Sequence, residues 1–445
     1  MRHLWFVVAL VACASKPNPS YCYANEDCDP ATPFCDVNGE FAESGYATGA
    51  CISRPAGCSI ERCGCTPDEP LTCENDRLTT CASDGRSSIA TECVMGCATD
   101  SLRCLSFEPS NDLGAALVNA RAEPDVIIPA GATIDTSGGS ITSASGTSVP
   151  VHTEIVTQGA SAIRVFVAKS FIVHDVKVRG QHAFALVAAD SISIRGVLDA
   201  SADGATPGPG ASSQNACRGR DAPWIDCGNG TTCSNGAGGA GNATIGGGGG
   251  YAGAVLSGGD AQIGFAPLVG GCRGGNHLQG TVVLNNAGAG GGAVQLVAGT
   301  EISLMENGVI NVSGGGGEPT SGGGSGGLVV LESPLIQILG TEAGVAANGG
   351  AGGACGYTGP DGSATTAIAL GSTNCVYYGG NGGTGTTAAA DARRCTAACI
   401  IQGIARGAGG GAAGRARFAT RSGTVDSVSA PIMSVIVTSE ILPTR

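Results

Sequence analysis

The sequence predicts a mainly β fold: a parallel β-helix with glycine-rich insertions, preceded by a small disulfide-rich module. Three observations lead to this fold class. Short apolar runs recur from Asp125 onward at a spacing of about 20 residues, which suits one coil of a β solenoid. Twelve cysteines crowd between Cys22 and Cys104. Glycine supplies 76 of the 445 residues and gathers in long tracts.

The first residues have the pattern of an export signal. Arg2 precedes an apolar run that begins at Leu4 and is far shorter than the roughly 20 residues of a membrane-spanning helix. The run ends in Leu10-Val11-Ala12-Cys13, which resembles the lipobox of bacterial lipoproteins. The resemblance implies cleavage before Cys13, acyl chains such as palmitate at Cys13, and sorting to the outer membrane. The alternative is ordinary secretory cleavage, which would release a soluble protein beginning at Ser15.

Composition divides the chain into five parts. Residues 1–12 form the expected lipoprotein signal peptide, and residues 13–21 form a lipidated tether rich in Pro and Ser. The disulfide-rich module covers residues 22–104, and a linker with a capping helix covers residues 105–124. The β-helix covers residues 125–445.

The number and grouping of the cysteines support export of the protein. Either cleavage removes Cys13 from the 21 cysteines, and the other 20 fall into groups of twelve, four and four. Even local groups are typical of disulfides formed in an oxidising compartment. The module divides further into halves at residues 22–57 and 58–104. The disulfide candidates are Cys22, Cys28, Cys35, Cys51, Cys58, Cys63, Cys65, Cys73, Cys81, Cys93, Cys97, Cys104, Cys217, Cys227, Cys233, Cys272, Cys355, Cys375, Cys395 and Cys399.

Zinc is the rival explanation for the cysteines. Cys63 with Cys65, or Cys93 with Cys97, could serve as ligand pairs. The module has no C-x-x-C pair, and no histidine occurs between residues 4 and 151. Disulfides are therefore favoured, and we expect no metal site and no cofactor.

A short helix is expected at residues 110–123, where it could cap the first coil of the solenoid. Three side chains could accept N-cap hydrogen bonds: Ser110, Asn111 and Asp112. Four apolar residues share one face of this helix: Leu113, Ala116, Leu117 and Ala120. Pro124 ends it.

A five-residue sequence motif, which we call the recurring phrase, predicts where each coil repeats. It reads Thr133–Ser137, Val197–Ser201 and Val309–Ser313, with a slipped copy at residues 344–349. Shorter echoes align Leu186 with Leu296, Val167 with Val187, and Ile172 with Ile192. The polar residue of the phrase is Asp135, Asp199 or Asn311, and we expect it to stabilise a corner turn rather than hold a metal.

Three glycine-rich insertions follow this phrase, at residues 202–291, 314–327 and 349–416. Insertions at one corner of successive coils project from one side of a solenoid. The tracts are either flexible or closely packed backbone, and both options stay open. This organisation resembles right-handed β-helix proteins of bacterial surfaces that carry glycine-rich insertions.

Catalytic signals are weak. His174 beside Asp175 is the best local acid–base pair, with Arg179 and His182 nearby. On a strand, adjacent side chains point to opposite faces, so His174 and Asp175 would not share a site. A solvent-facing polar edge is the favoured interpretation.

Aromatic residues are only 4% of the chain, which weakens the case for an extended sugar-binding groove. Trp224, Tyr377 and Tyr378 are candidate contact residues, although anchoring of the insertions is the favoured role. The net charge is −13 and no basic stripe occurs, so nucleic acid is not an expected partner.

We therefore expect a membrane-anchored extracytoplasmic lipoprotein with a non-catalytic structural or adhesive role. The expected location is the outer membrane or cell surface of a Gram-negative bacterium. The expected partners are the membrane, through the lipid on Cys13, and a surface polysaccharide or another surface protein. The alternative is a carbohydrate-active β-helix enzyme, either a lyase or a glycosidase.

Overall fold

The chain forms two units, Met1–Ser106 and Phe107–Arg445. The computed structural model describes residues 22–23, 27–29, 32, 34–36, 49–52, 65–83, 87–226, 232–250, 255–354, 356–372, 377–394, 406–427 and 432–444. Strands dominate both units.

Disulfides and short antiparallel strands build the first unit. Its strands are Phe34–Asp36 with Ala50–Ile52, the three-stranded sheet Pro70–Glu74, Arg77–Cys81 and Ser88–Glu92, and Cys97–Ala98 with Arg103–Cys104. The described disulfides are Cys22–Cys35, Cys28–Cys51, Cys65–Cys81, Cys73–Cys97 and Cys93–Cys104. Each one closes within a single half of the module. Cys58 and Cys63 lie outside the described residues.

Three sheets form the core of the second unit, and we call them together the three-sheet body. Sheet 1 contains, in spatial order, Val126–Ile128, Phe171–Val173, Ser191–Ile194, Glu301–Leu304, Leu335–Ile338 and Asp426–Ser427. Sheet 2 contains Ser140–Thr142, Ala132–Asp135, Val176–Arg179, Val197–Asp199, Val309–Asn311, Gly344–Ala346 and Ile432–Ser434. Sheet 3 contains His152–Gln158, Ser161–Ala168, Ala183–Ala188, Ala293–Ala298, Leu328–Glu332, Arg415–Thr420 and Ile436–Ile441.

The chain visits the sheets in a fixed order. After Phe171–Val173 in sheet 1 come Val176–Arg179 in sheet 2 and Ala183–Ala188 in sheet 3, and the next pass begins at Ser191. Each strand therefore pairs in parallel with strands of the neighbouring passes. Antiparallel pairing within the three sheets occurs at their first strands, Ser140–Thr142 and His152–Gln158.

Apolar ladders fill the space between the sheets. In sheet 1, Phe171, Ile192, Ile302 and Ile336 pair in register, and all four are fully buried. Alternate residues of a strand point to opposite faces, so every second position supplies this core. Burial of each such side chain contributes about 1.5–3 kcal/mol to folding.

The strand registers correct two alignments made from the sequence. Val167 pairs with Val187 and Leu186 with Leu296, as expected. Ile192 pairs with Phe171 rather than Ile172, because three residues separate Ala188 from Ile192 whereas two separate Ala168 from Phe171. Lys177 pairs with both Asp199 and Thr133, so Asp135 lies two positions beyond the column of Asp199.

A short helix precedes the sheets. It spans Gly114–Asn119 and continues as a 3-10 turn at Ala120–Ala122. Its N-cap residue is Leu113, and no side chain caps it. Asn111 and Asp112 instead adopt the left-handed conformation, with φ 59° at both. The expected N-cap hydrogen bonds are therefore absent from this described helix.

The helix buries Leu113, Ala116 and Ala120, three of the four residues predicted for its apolar face. It lies against strands Ser161–Ala168 and Ala183–Ala188 of sheet 3. The outward-facing residues of these strands are consequently buried too. The helix thus covers the outer face of a sheet, a different place from the open edge of the first pass that the sequence suggested.

The long insertions leave the body at one corner, between a strand of sheet 2 and the next strand of sheet 3. We call their described parts, within residues 202–291, 314–327 and 349–414, the glycine bundle. The short strands they contain are Ala222–Asp226, Thr232–Ser234, Gly249–Gly250, Val255–Leu256, His277–Gln279, Val282–Asn285, Tyr377–Tyr378 and Arg393–Arg394.

Candidate functional site

The glycine bundle is an ordered hydrogen-bonded lattice. Segment 322–327, which has neither helix nor strand conformation, donates its backbone N–H groups to three neighbours in rotation. The bonds run from Gly322 to Gly275, Gly323 to Gly409, Gly324 to Gly315, Ser325 to Cys272, Gly326 to Ala412 and Gly327 to Val312. Each neighbour thus recurs after three residues. That is the period of a polyproline II helix, which has three residues per turn and no internal hydrogen bonds.

The same part of the chain also accepts hydrogen bonds from three other segments. The bonds run from Ala237 to Thr320, Ala240 to Gly323, Gly288 to Gly322, Gly291 to Ser325, Gly350 to Gly324 and Gly353 to Ser321. Residues 320–327 therefore lie at the centre of six surrounding segments. A β-strand has only two hydrogen-bonded neighbours in its sheet, so the bundle uses the backbone in three dimensions.

Close packing of the backbone explains the glycine content. A Cβ atom added at Gly323 would overlap the carbonyl oxygen of Gly350, and one added at Gly326 would overlap that of Ala347. Gly250 is less tightly enclosed, because an added Cβ would meet the Arg406 side chain at 3.3 Å and needs only a small shift of that side chain. Of the two options that the sequence left open, the described tracts take the closely packed one.

Polar side chains replace missing lattice partners. The Asp361 carboxylate accepts the N–H groups of Gly316 at 2.6 Å and Gly204 at 3.2 Å. Ser325 Oγ accepts the N–H of Cys272 at 2.9 Å. Buried polar groups require such partners, so these residues complete the lattice where no carbonyl is within reach.

A disulfide and a buried hydrogen bond stabilise the bundle. The disulfide Cys217–Cys272 joins two of its segments, and both cysteines are buried. Arg415 begins a strand of sheet 3 and donates from Nε to Asn242 Oδ1 at 2.7 Å, which links the body to the bundle. Burial lowers the pKa of the Arg415 guanidinium. Cys227, Cys355, Cys375, Cys395 and Cys399, and the side chain of Cys233, lie outside the described residues.

The acidic and amide residues of the recurring phrase form corner turns. Asp135 Oδ1 accepts the N–H of Ser137 at 2.9 Å, and Asp199 Oδ1 accepts that of Ser201 at 3.1 Å. Asn311 donates to Asp199 Oδ1 at 3.0 Å, which connects two successive corners. These contacts show the turn role expected from the sequence.

One cysteine group has ligand atoms close enough to hold a metal ion within the described ranges: Cys22, Cys28 and Cys51. All three are disulfide-bonded, to Cys35 in the case of Cys22 and to each other in the case of Cys28 and Cys51. A sulfur in a disulfide is not a thiolate, so this group does not fit a metal ion.

The proposed acid–base residues are separated by the fold. His174 and Asp175 lie in the bend between strands Phe171–Val173 and Val176–Arg179, not on a strand as the sequence suggested. Asp175 Oδ1 accepts the N–H of Val197 at 2.8 Å and so stabilises the next corner. His182 lies beyond the other end of strand Val176–Arg179. The three residues therefore do not form one catalytic site.

Arg179 has a similar structural role. Its Nη1 donates to the carbonyl oxygens of Val178 at 3.0 Å and Ser201 at 3.4 Å. It therefore stabilises the corner from which the first insertion departs.

A buried polar network, which the sequence did not predict, lies on the outer face of sheet 3. Glu332, only 1% exposed, accepts hydrogen bonds from Gln295 Nε2 at 2.7 Å and from the N–H of Ser110 at 3.1 Å. Arg417 Nη1 lies 2.9 Å from Glu332 and also pairs with Glu440. Because Arg417 pairs with both carboxylates, they hold strands together and are not arranged as a free acid and base.

The aromatic candidates contribute little described contact surface. Tyr378 is partly buried beside Leu370, Asn381 and Asp391, around a cavity of about 340 Å³. The side chains of Tyr377 and Trp224 lie outside the described residues.

None of the described helices has both the length and the apolar character needed to cross a membrane. Compared with protein-family models, curated proteins and solved structures, the chain matches none.

Proposed function

We propose that the protein is a membrane-anchored lipoprotein of the bacterial envelope with a non-catalytic structural or adhesive role. In this proposal, residues 1–12 are the signal peptide, Cys13 carries the lipid, and residues 13–21 are the tether. The three-sheet body is a right-handed parallel β-helix that serves as a stiff spacer, and the glycine bundle is the surface that it presents.

The lattice of the glycine bundle is the observation that carries this proposal. Its interior consists of backbone groups bonded to each other, and residues 320–327 have six bonded neighbours. Such a lattice offers few side chains for chemistry but forms a rigid surface. The disulfides of both units support an oxidising compartment outside the cytoplasm.

Intact-mass analysis of the full chain tests the anchor. The chain is produced in a Gram-negative host and recovered from membranes and from the soluble fraction. We expect a membrane-bound form that begins at Cys13 and carries a diacylglyceryl group. Cys13→Ser should move the protein to the soluble or unprocessed fraction, whereas the matched control Ser15→Ala should stay in the membrane. A wild-type soluble form beginning at Ser15 would contradict the anchored function.

A further inference from the structure

A polar cavity lies where the three-sheet body meets the first insertion. It has a volume of about 380 Å³, within the usual range for small-molecule sites. Ser161 and His182 lie at or just before the first residues of two neighbouring strands of sheet 3. Ser213, Gln214 and Leu268, which belong to the glycine bundle, also line the cavity.

The walls of this cavity are held in place by hydrogen bonds from outside it. Leu268 donates its N–H to Gln158 Oε1 at 2.8 Å. Ser212 donates its N–H to the carbonyl of Gly271 at 2.8 Å, beside the Cys217–Cys272 disulfide. Gln181 donates its N–H to Ser137 Oγ at 2.9 Å. A site whose walls are fixed in advance loses less conformational entropy on binding.

Five side chains around the cavity have unused hydrogen-bonding capacity. Within the part of the chain that the structure describes, none of them hydrogen-bonds through its side chain to another residue: Ser161, Gln181, His182, Ser213 and Gln214. Hydroxyl, amide and imidazole groups can each donate and accept. The remaining described lining is Ser212, whose Oγ accepts the N–H of Gln214 at 3.1 Å, together with glycine and apolar residues such as Ala162, Leu268 and Val269.

The charge of the lining selects the ligand class. No Lys, Arg, Asp or Glu appears among the described lining residues, so neither a phosphate nor an ammonium group would find an opposite charge there. Groups that both donate and accept suit hydroxyls, and the apolar patches suit the C–H face of a sugar ring. We propose that this cavity binds a neutral sugar residue of a glycan. This proposal rests on the proposed function, because it names the class of ligand that an adhesive protein would bind.

Saturation-transfer NMR on the full chain, in detergent, tests the site. The probes are glucose, galactose, mannose and N-acetylglucosamine, with glucuronate and glucose 6-phosphate as charged analogues. We expect at least one neutral sugar to bind with a Kd on the order of 1 mM. Binding should weaken at least fivefold in His182→Ala and in Gln214→Ala. The matched control His174→Ala removes another partly buried histidine that does not line the cavity, and it should bind as wild type does.

Three results would overturn the proposal. The first is that no neutral sugar binds at a concentration 50-fold above the expected Kd. The others are that the charged analogues bind as well as the neutral sugars, or that both cavity variants bind as tightly as the wild type. Circular dichroism and the melting temperature of each variant identify loss of fold. A third cavity variant, Ser213→Tyr, adds a bulky side chain at an exposed lining position without removing a side-chain hydrogen bond, and it should also block binding. Because the membrane fractionation of Cys13→Ser is independent of this titration, failure of the anchor and failure of the site are distinguishable.

Discussion

The three-sheet body and the glycine bundle satisfy the same backbone groups in opposite ways. In the body, strands pair within sheets, and stability comes from side chains such as Phe171 and Ile302 buried between the sheets. In the bundle, segments pair in all directions, and side chains are largely absent from the interior. The body should therefore be sensitive to lost side-chain volume, whereas the bundle should be sensitive to added volume.

The bundle also has the weaker thermodynamic basis. A net hydrogen bond contributes about 1 kcal/mol, whereas ordering one backbone residue costs about 1–2 kcal/mol, and glycine loses the most freedom. A lattice built from glycine therefore depends on links that restrict the unfolded chain. The described disulfide Cys217–Cys272 is such a link.

Removal of this disulfide should have the largest effect. The cysteines are 55 residues apart, and opening a loop of that length should lower the free energy of unfolding by about 4 kcal/mol. The measurement is denaturant unfolding of the variant with both Cys217→Ser and Cys272→Ser. We expect the bundle to unfold before the body. If the variant instead unfolded in a single transition with the midpoint of the wild type, the bundle would not depend on this disulfide more than the body does.

A single methyl group inside the bundle should have the next largest effect. Gly323→Ala places a Cβ against the Gly350 carbonyl, where backbone lies on the opposing side and cannot turn away. We expect a loss of about 3 kcal/mol, at the upper end for overpacking. Gly250→Ala, the matched control at the less tightly enclosed position, should stay within about 0.5 kcal/mol of wild type. Thermal melts of the two variants check this, and equal stability would mean that the lattice is not tight.

Loss of one methyl group from the body should have a smaller effect. Ile302 is fully buried between Ile192 and Ile336 in its ladder. Ile302→Val should cost about 1 kcal/mol, because the sheets close only partly around the space left behind. Denaturant unfolding measures it. An unchanged midpoint would show that the ladder is not packed as the structure has it.

The smallest expected effect is a pH dependence. His277 lies buried in the bundle, where its backbone N–H donates to Ser321 Oγ at 3.2 Å, and burial lowers its pKa from the ordinary value of 6.5. Below that pH the unfolded chain binds a proton that the folded chain resists, so stability falls as the pH falls. The slope due to one group is at most about 1.4 kcal/mol per pH unit. Unfolding at pH 7.5 and 5.5 should show a smaller difference for His277→Gln than for wild type; an equal difference would exclude His277 as its source.

The difference between the body and the bundle also explains which structural features could be predicted from the sequence. Apolar alternation marks strands, so segments such as Ser191–Ile194 and Val309–Asn311 were recognisable, and so was the corner from which the insertions leave. The predicted register at Ile192 was one residue off, because Ile192 is the second residue of its strand whereas its partner Phe171 is the first, and short apolar runs fit neighbouring alignments equally well. Corner turns at Asp199 and Asn311 were predictable because these side chains bond the backbone locally.

The bundle escaped prediction for a physical reason. Its partners are backbone groups, and every glycine presents the same N–H and C=O, so nothing in the sequence marks which segments meet. The cavity beside His182 could not be predicted because its walls come from four separate parts of the chain. The buried pair Glu332–Arg417 gave no local signal either, since its residues are 85 positions apart.

Native-state hydrogen exchange of the amides at residues 322–327 tests the central claim most directly. The lattice, in which hydrogen-bonded neighbours recur every three residues, predicts that these amides exchange as slowly as those of strand Ala293–Ala298 in sheet 3. Both sets of N–H groups are buried and hydrogen-bonded. Exchange of the 322–327 amides at the rate of an unfolded glycine chain, while Ala293–Ala298 stays protected, would contradict it.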